Sequence, residues 1–435
     1  MKQKRLYSFF NIHNLLEESK KNLFLTSIVL GIMLWFFFLL TTPVKIIRPL
    51  SNQVLIFITL NYLVFVSGYF FYKKRKKKSL FKRALKKENI NIFLYFIIII
   101  VIMSFFFRFF DLFHLRELSF YNSIGQNKIN AAKEENFSLL IGLFSVFRFL
   151  YFVPYIFYKL SEKNNKKLLL ICLLLFLIPV TEGFLRGSRR LILEPVLILG
   201  ISIIVQNKRF KIDIKRVLLL ISIAVFLIFG SQYILKERIS EKSVKYYKRV
   251  IKAPYNDLLP LNDKTKNYLS SDTDNRIKDG LLFYCHVGQY ITHGVFEFDH
   301  VIRQKPTHTA KYGLYNLYII VKMFNKLGVS NIPLNTLKNP TKRETYITFF
   351  GGLYVDFKWL SLGIMFLFGV IQKAVFSEEI SNPYLKPVVV MFILCNIMLL
   401  VFNFLRAQIF ITLLVYLLAM IFFKVYLLAR KMVKN

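Results

Sequence analysis

The sequence predicts an all-α protein: a bundle of about ten apolar helices that cross a bilayer, with one large hydrophilic segment late in the chain. Three observations predict it. Hydrophobic residues make up 55% of the 435 positions, and the mean hydropathy is +0.47, so lipid takes the place of a packed aqueous core. Apolar runs long enough to cross the hydrocarbon recur along the chain. The short segments between them are basic, as the positive-inside rule asks of cytoplasmic loops.

In order, the expected spans are 22–41, 54–72, 90–110, 137–159, 168–185, 191–206, 217–235, 351–376, 386–405 and 407–428. The first follows a basic start, Met1 to Arg5, but no small-residue cleavage site follows it, so it is expected to stay as an anchor. The sixth is short and contains Glu194 and Pro195. The 47 Phe and 24 Tyr go with abundant Ile, Lys and Asn, as an AT-rich genome favours, so a Phe run alone marks no site.

A formal charge of +37 would suggest nucleic acid if the chain were soluble. Its distribution argues for topology instead. The densest cluster, Lys73 to Lys78 with Lys82, Arg83, Lys86 and Lys87, lies between two spans, where anionic membrane lipid holds it on the cytoplasmic side. No nucleic acid is therefore expected as a partner. Loops 73–89, 160–167 and 207–216 and the tail with Arg430, Lys431 and Lys434 all fall on one side if both termini are cytoplasmic. That orientation divides the chain into a transmembrane bundle at 1–235, a large extracytoplasmic loop at 236–350 and three further spans in 351–435. Within the loop, 280–298 and 311–327 read as short helices lying on or dipping into the interface. No internal repeat is visible, which disfavours transporters built from duplicated halves.

Four constellations could carry chemistry. The outer turn Arg186-Gly187-Ser188-Arg189-Arg190 packs three arginines into five residues, against the charge rule for short outer turns. Guanidinium groups hold phosphate bidentately and stay charged in partly apolar surroundings. The structural alternative is pairing with Glu182 and Glu194, each four residues from an arginine. Arg148 lies mid-span, where a charge costs about 2.5–3.5 kcal/mol and should face the bundle interior; Arg108 and Arg406 sit near outer span ends, and counter-ions at Asp111, Glu194 or Asp356 would explain them equally. In the large loop, His286, Tyr290, His293 and Glu297 follow steps of four, three and four, which puts them on one helical face. His and Glu can take a proton from a sugar hydroxyl at neutral pH; a wet amphipathic helix with incidental histidines gives the same pattern. The two histidines are about 10 Å apart, too far to share one metal. Finally, Asp356 near the start of the eighth span reads as an arginine counter-ion before it reads as a base.

Three cysteines, Cys172, Cys285 and Cys395, supply neither a disulfide framework nor a metal-binding spacing. There is no P-loop, no GxGxxG after a strand, no HExxH and no Gly-x-Ser-x-Gly elbow. The first outer loop, 42–53, has no carboxylate, which speaks against a metal-dependent glycosyl transfer. No metal and no cofactor are expected.

The stretch Thr345-Tyr346 through Gly351-Gly352-Leu353-Tyr354-Val355-Asp356-Phe357, followed by Gly363 and Gly369, resembles the bacterial O-antigen and capsule repeat-unit polymerases. That family shows an aromatic–Thr stretch, a tyrosine, then Asp-Phe-Gly and a glycine-spaced span. Lys358 stands where its glycine is usual. The arginine turn and the single large late loop are similar as well. The resemblance covers most of the chain as architecture and about thirty residues as motif. It implies a GT-C-like, metal-independent membrane glycosyltransferase in the bacterial cytoplasmic membrane. Its donor would be a growing glycan on undecaprenyl pyrophosphate, its acceptor a single lipid-linked repeat unit, and a chain-length regulator protein would be a partner. Arg186, Arg189 and Arg190 would then clamp pyrophosphate, supported by Arg148 and Arg406. His286, His293 or Glu297 would supply the base, and Tyr290 and other loop tyrosines would stack on sugars. A lipid-linked glycan ligase shares these features. A flippase would show more spans, symmetric halves and short outer loops, and a membrane acyltransferase would bury its histidine among the spans.

Overall fold

The computed structural model describes residues 22–72, 87–132, 138–161, 165–206, 253–271, 276–304, 309–341, 345–379, 382–406 and 408–434, with a few isolated positions besides. The seventh expected span, 217–235, and the basic segments 73–86 and 207–216 lie almost wholly outside the described residues. Among those described, the chain is helical, and its β-structure is one isolated bridge, Val44 with Leu261.

The helices are α1 (Leu23–Thr41), α2 (Asn52–Phe71), α3 (Lys87–Phe110), α4 (Ile124–Ala132), α5 (Leu139–Ser145), α6 (Val153–Leu160), α7 (Lys166–Leu185), α8 (Arg189–Gln206), α9 (Asp263–Ser270), α10 (Arg276–Arg303), α11 (Tyr318–Lys326), α12 (Phe349–Phe357), α13 (Ser361–Glu378), α14 (Lys386–Met398) and α15 (Gln408–Lys434). Many start where a side chain can take up an orphan N–H. Ser51 accepts from Val54 at α2, Asn165 from Lys167 and Leu168 at α7, and Thr348 from Gly351 at α12. Six helices among the described residues are long and apolar enough to cross a membrane, and a bent pair makes a seventh. The chain is a multi-pass, all-helical membrane protein.

Several expected spans are broken, each for a local reason. The span at 137–159 is α5, a 3₁₀ turn (Val146–Leu150) and α6, bent by 42°. Pro154 opens α6; without an N–H, and with a ring that crowds the carbonyl four residues back, it cannot continue a straight helix. The eighth is one apolar stretch, Phe349–Glu378, in which a 3₁₀ turn at Lys358–Leu360 joins α12 to α13 and Lys358 has φ +51°. The ninth ends early, because α14 stops at Met398 and 399–406 is irregular. In α3, a π-turn over Asp111–Leu115 widens the helix end and turns Asp111 inward to meet Arg108 and Arg116.

Small residues set the tightest crossings. A Cβ on Gly68 would lie 2.1 Å from the Phe366 carbonyl oxygen, and one on Gly369 would lie 2.2 Å from that of Phe65. α2 and α13 therefore touch backbone to backbone. Gly369 thus fills the packing role expected of it, whereas Gly363 faces open space.

The loop helix α10 is longer than the expected 280–298, and its residues His286, Gln289, Thr292, His293 and Glu297 are all buried within the protein. Gly288 lets it close on Thr42 at the end of α1, and Gly294 lets it close on the Val401 carbonyl. Small residues on two different sides of the helix let neighbouring elements approach it more closely than bulkier side chains would allow.

Candidate functional site

The arginine turn is built by its glycine. Gly187 has φ +61°, a conformation that a side chain would strain. The Ser188 N–H bonds to the Gly183 carbonyl (2.7 Å) and the Gly187 N–H to that of Phe184 (3.2 Å), the pairing that closes a helix around a left-handed glycine. Arg186 thereby ends α7 while Arg189 and Arg190 open α8. Two cations at the positive end of a helix dipole are unfavourable unless an anion joins them. One is supplied internally: Arg190 Nε donates to Glu194 at 3.0 Å.

Beside this turn lies a cavity of about 640 Å³, within the range of small-ligand sites. Its polar wall holds Arg186, Arg189, Arg190, Lys128, Glu194, His286 and Tyr290, that is, four cations against one carboxylate. Its apolar wall comes from Leu34 on α1, Leu193 and Leu197 on α8, Leu394 and Met398 on α14, and Phe402 in the break after it. The turn and the face of α10, about a hundred residues apart in sequence, meet directly: Arg189 Nη2 donates to His286 Nε2 at 2.8 Å. A guanidinium only donates, so His286 offers that nitrogen's lone pair and carries its proton on Nδ1.

Half of the expected site residues are therefore in one place: Arg186, Arg189, Arg190, His286 and Tyr290. The other five do not line the cavity. Arg148, on the 3₁₀ turn, donates to the Ser145 carbonyl (2.6 Å) and pairs with Glu182 (3.5 Å), away from the cavity. Glu182 also takes Arg108 and Arg186 at 2.8 Å each. Arg186 is thus both cavity wall and ion-pair partner, as the structural alternative for it anticipated. Arg406 donates to the carbonyls of Tyr315 and Leu337 at 2.7 Å each and lies between the rings of Tyr315 and Tyr318; it fastens the 311–317 segment. Asp356 makes its direct bonds to backbone rather than to an arginine: it accepts the N–H groups of Tyr315 (3.0 Å) and Asn316 (2.9 Å) and secures the same segment. Glu297 lies one turn beyond His293, buried and away from the cavity.

His293 is fully buried. Its Nδ1–H donates to the carbonyls of Gln289 (2.9 Å) and Tyr290 (3.1 Å). Burial holds its pKa down at about 4, with those two bonds opposing, so the ring is neutral at pH 7. Among the described residues, no three His, Cys, Asp or Glu side chains gather as a metal site would require.

Lys128 and the residues around Phe402 carried no signal in the sequence. Lys128 sits in a short polar helix without apolar periodicity, and Phe402 lies inside what reads as an unbroken span. No protein-family model, no curated protein and no solved structure matches the chain.

Proposed function

We propose that the protein is a membrane glycosyltransferase that polymerises lipid-linked oligosaccharide repeat units on the outer face of the bacterial cytoplasmic membrane. In this reading the chain is GT-C-like, has about ten spans and keeps both termini in the cytoplasm. One observation carries the proposal: a single cavity joins an arginine cluster at a helix N-terminus to a long apolar wall and to a histidine. An isoprenoid diphosphate matches all three, with its chain against Leu193, Leu197, Leu394 and Met398, and its diphosphate on Arg189 and Arg190.

The chemistry asks for a hydroxyl to be deprotonated, departing pyrophosphate to be stabilised, and two lipid-linked sugars to be held in line. The acceptor's terminal hydroxyl attacks the anomeric carbon of the donor glycan. The bond from that carbon to the diphosphate oxygen breaks, and undecaprenyl pyrophosphate leaves with its charge held by Arg189 and Arg190. Of the three base candidates, His286 lines the cavity. When Arg189 turns onto the diphosphate, the His286 Nε2 lone pair is released to take the hydroxyl proton. No step requires a metal.

The test is deletion of the gene, with the surface glycan and the lipid-linked pool resolved beside a complemented strain. Loss of the polymer ladder, with single repeat units still reaching the outer face, supports the proposal. Polymer made but never joined to its anchor would make the protein a ligase. Single units trapped on the cytoplasmic side would make it a flippase.

A further inference from the structure

Next to the arginine cavity is a second group of side chains to which the diphosphate chemistry assigns nothing. His293 turns its Nδ1 edge against its own helix, so Nε2 points away from α10, and this atom has no hydrogen-bond partner among the described residues. One turn earlier, Gln289 spends its amide N–H groups on Asn256 (2.9 Å) and the Leu259 carbonyl (2.8 Å), while its Oε1 is likewise without a partner among those residues. Both residues are fully buried. Two buried acceptors four residues apart, both lacking a donor, are costly unless a donor arrives.

Three tyrosines surround this position. The Tyr255 ring lies 4.4 Å from that of His293, the Tyr346 ring 4.5 Å from it and nearly perpendicular, and Tyr290 packs 4.9 Å from Tyr346. They come from separate segments: the turn at Pro254–Asp257, α10, and the residues just before α12. The Tyr346 hydroxyl is used to fix the box, donating to the Tyr290 carbonyl at 2.7 Å. Tyr255, Tyr290 and Tyr346 are each partly buried. The box adjoins the cavity through Tyr290, which lines it, and through His286, whose ring is 5.5 Å from that of Tyr255.

We propose that Tyr255, Tyr290 and Tyr346, with His293 and Gln289, form a sugar-binding subsite. It holds one pyranose ring of the lipid-linked glycan whose diphosphate sits on Arg189. This rests on the reading of the cavity as an isoprenoid-diphosphate site. A pyranose presents hydroxyl donors at its rim, which suit His293 Nε2 and Gln289 Oε1. It presents a face of polarised C–H groups, which suits the electron-rich faces of tyrosine rings. His293, held neutral, accepts a hydrogen bond and orients the ring; it is a positioning residue, and its low basicity leaves proton removal to His286.

The experiment uses the full chain in nanodiscs, with lipid-linked single repeat units extracted from a strain lacking the gene as substrate, and farnesyl diphosphate as a separate probe of the arginine cavity. Tyr255→Ala should raise the KM for repeat units about 2–10-fold, the range one aromatic contact supplies, with most of the loss in KM rather than kcat. His293→Leu should do the same, and His293→Gln, which restores an acceptor, should recover most of it. Farnesyl diphosphate affinity should not change in any of them, which also shows that each variant is folded. If Tyr255→Ala and His293→Leu bind farnesyl diphosphate normally and keep the wild-type KM, the box holds ordered water only and the subsite is refuted while the transferase reading stands. If the wild type neither binds farnesyl diphosphate nor extends repeat units, the reading of the cavity falls and the subsite with it.

Discussion

Replacing Glu182 with Gln isolates the charge that organises the inner end of the arginine turn. Glu182 is 2% exposed. Its Oε1 accepts from Arg108 and Arg186 at 2.8 Å each, and its Oε2 lies 3.5 Å from Arg148. Asp111 is the other acid of the cluster, paired with Arg108 and Arg116. Four arginines thus share two carboxylates, and Glu182→Gln leaves four against one. Gln keeps a carbonyl oxygen in place, so the loss is of charge rather than of shape. Removing one side of a buried ion pair costs about 3–5 kcal/mol, because the partner stays buried without compensation. The partial exposure of Arg186, at 30% for its side chain, puts the expectation toward the low end. The assay is the temperature at which the purified protein loses monodispersity, measured for Glu182→Gln, Arg148→Gln and the double variant. The double variant should be more stable than the sum of the single losses predicts, by at least about 0.5 kcal/mol, since residues in one network couple. Wild-type stability in Glu182→Gln, or strict additivity in the double variant, would refute the view that this carboxylate holds the cluster together.

Further outcomes follow from single residues. Arg189→Ala should lower turnover about 10²–10³-fold, as expected when a donor to a developing anion is lost, with protein levels and thermal stability unchanged; wild-type polymer length in that variant would exclude Arg189 from the clamp. Lys358→Gly should stabilise the chain by about 1 kcal/mol, because the residue sits at φ +51°, where a side chain is strained and glycine is not; a lower melting temperature would show that the contact of its ammonium with the Tyr354 ring outweighs the strain. Burial lowers His293 to about 4 from an ordinary 6.5, so between those values the unfolded chain binds the proton more readily. The stability contributed by the neutral ring is complete above about pH 6.5 and falls as pH drops toward 4, by up to about 3 kcal/mol. Thermal stability measured at pH 7 and pH 4.5 should therefore drop less in His293→Gln than in the wild type, and equal drops would locate the acid sensitivity elsewhere.

The membrane-spanning character was legible because it rests on runs of apolar residues, and a bilayer accepts such runs only as helices or closed barrels. The arginine turn was legible because three cations crowd into five residues between two apolar helices. The face of α10 was legible as a spacing: His286, Tyr290, His293 and Glu297 do share one helix. What this pattern could not reveal is burial. A helix with its polar face in water and one with that face packed against other elements have the same periodicity, and Gly288 and Gly294 permit the close packing only through what lies opposite, Thr42 and Val401. The arginines show the same limit. For Arg148, Arg186 and Arg406 the sequence left anion binding and internal pairing equally open, and the partners that hold each come from other elements or from local backbone turns.

By itself, the sequence determined a helical, multi-pass chain, the places where polar groups interrupt it, and which residues carry unusual charge for their position, because hydropathy, helical period and loop charge are properties of consecutive residues. The tertiary structure decided that Arg189 meets His286, that Arg148 and Arg406 bond to backbone carbonyls away from the cavity, that Asp356 secures a loop, and that Tyr255, Tyr290 and Tyr346 converge on His293. Those outcomes depend on close approaches between segments far apart in the chain, where a glycine, a broken helix or one carboxylate chooses among geometries that the linear pattern leaves equal.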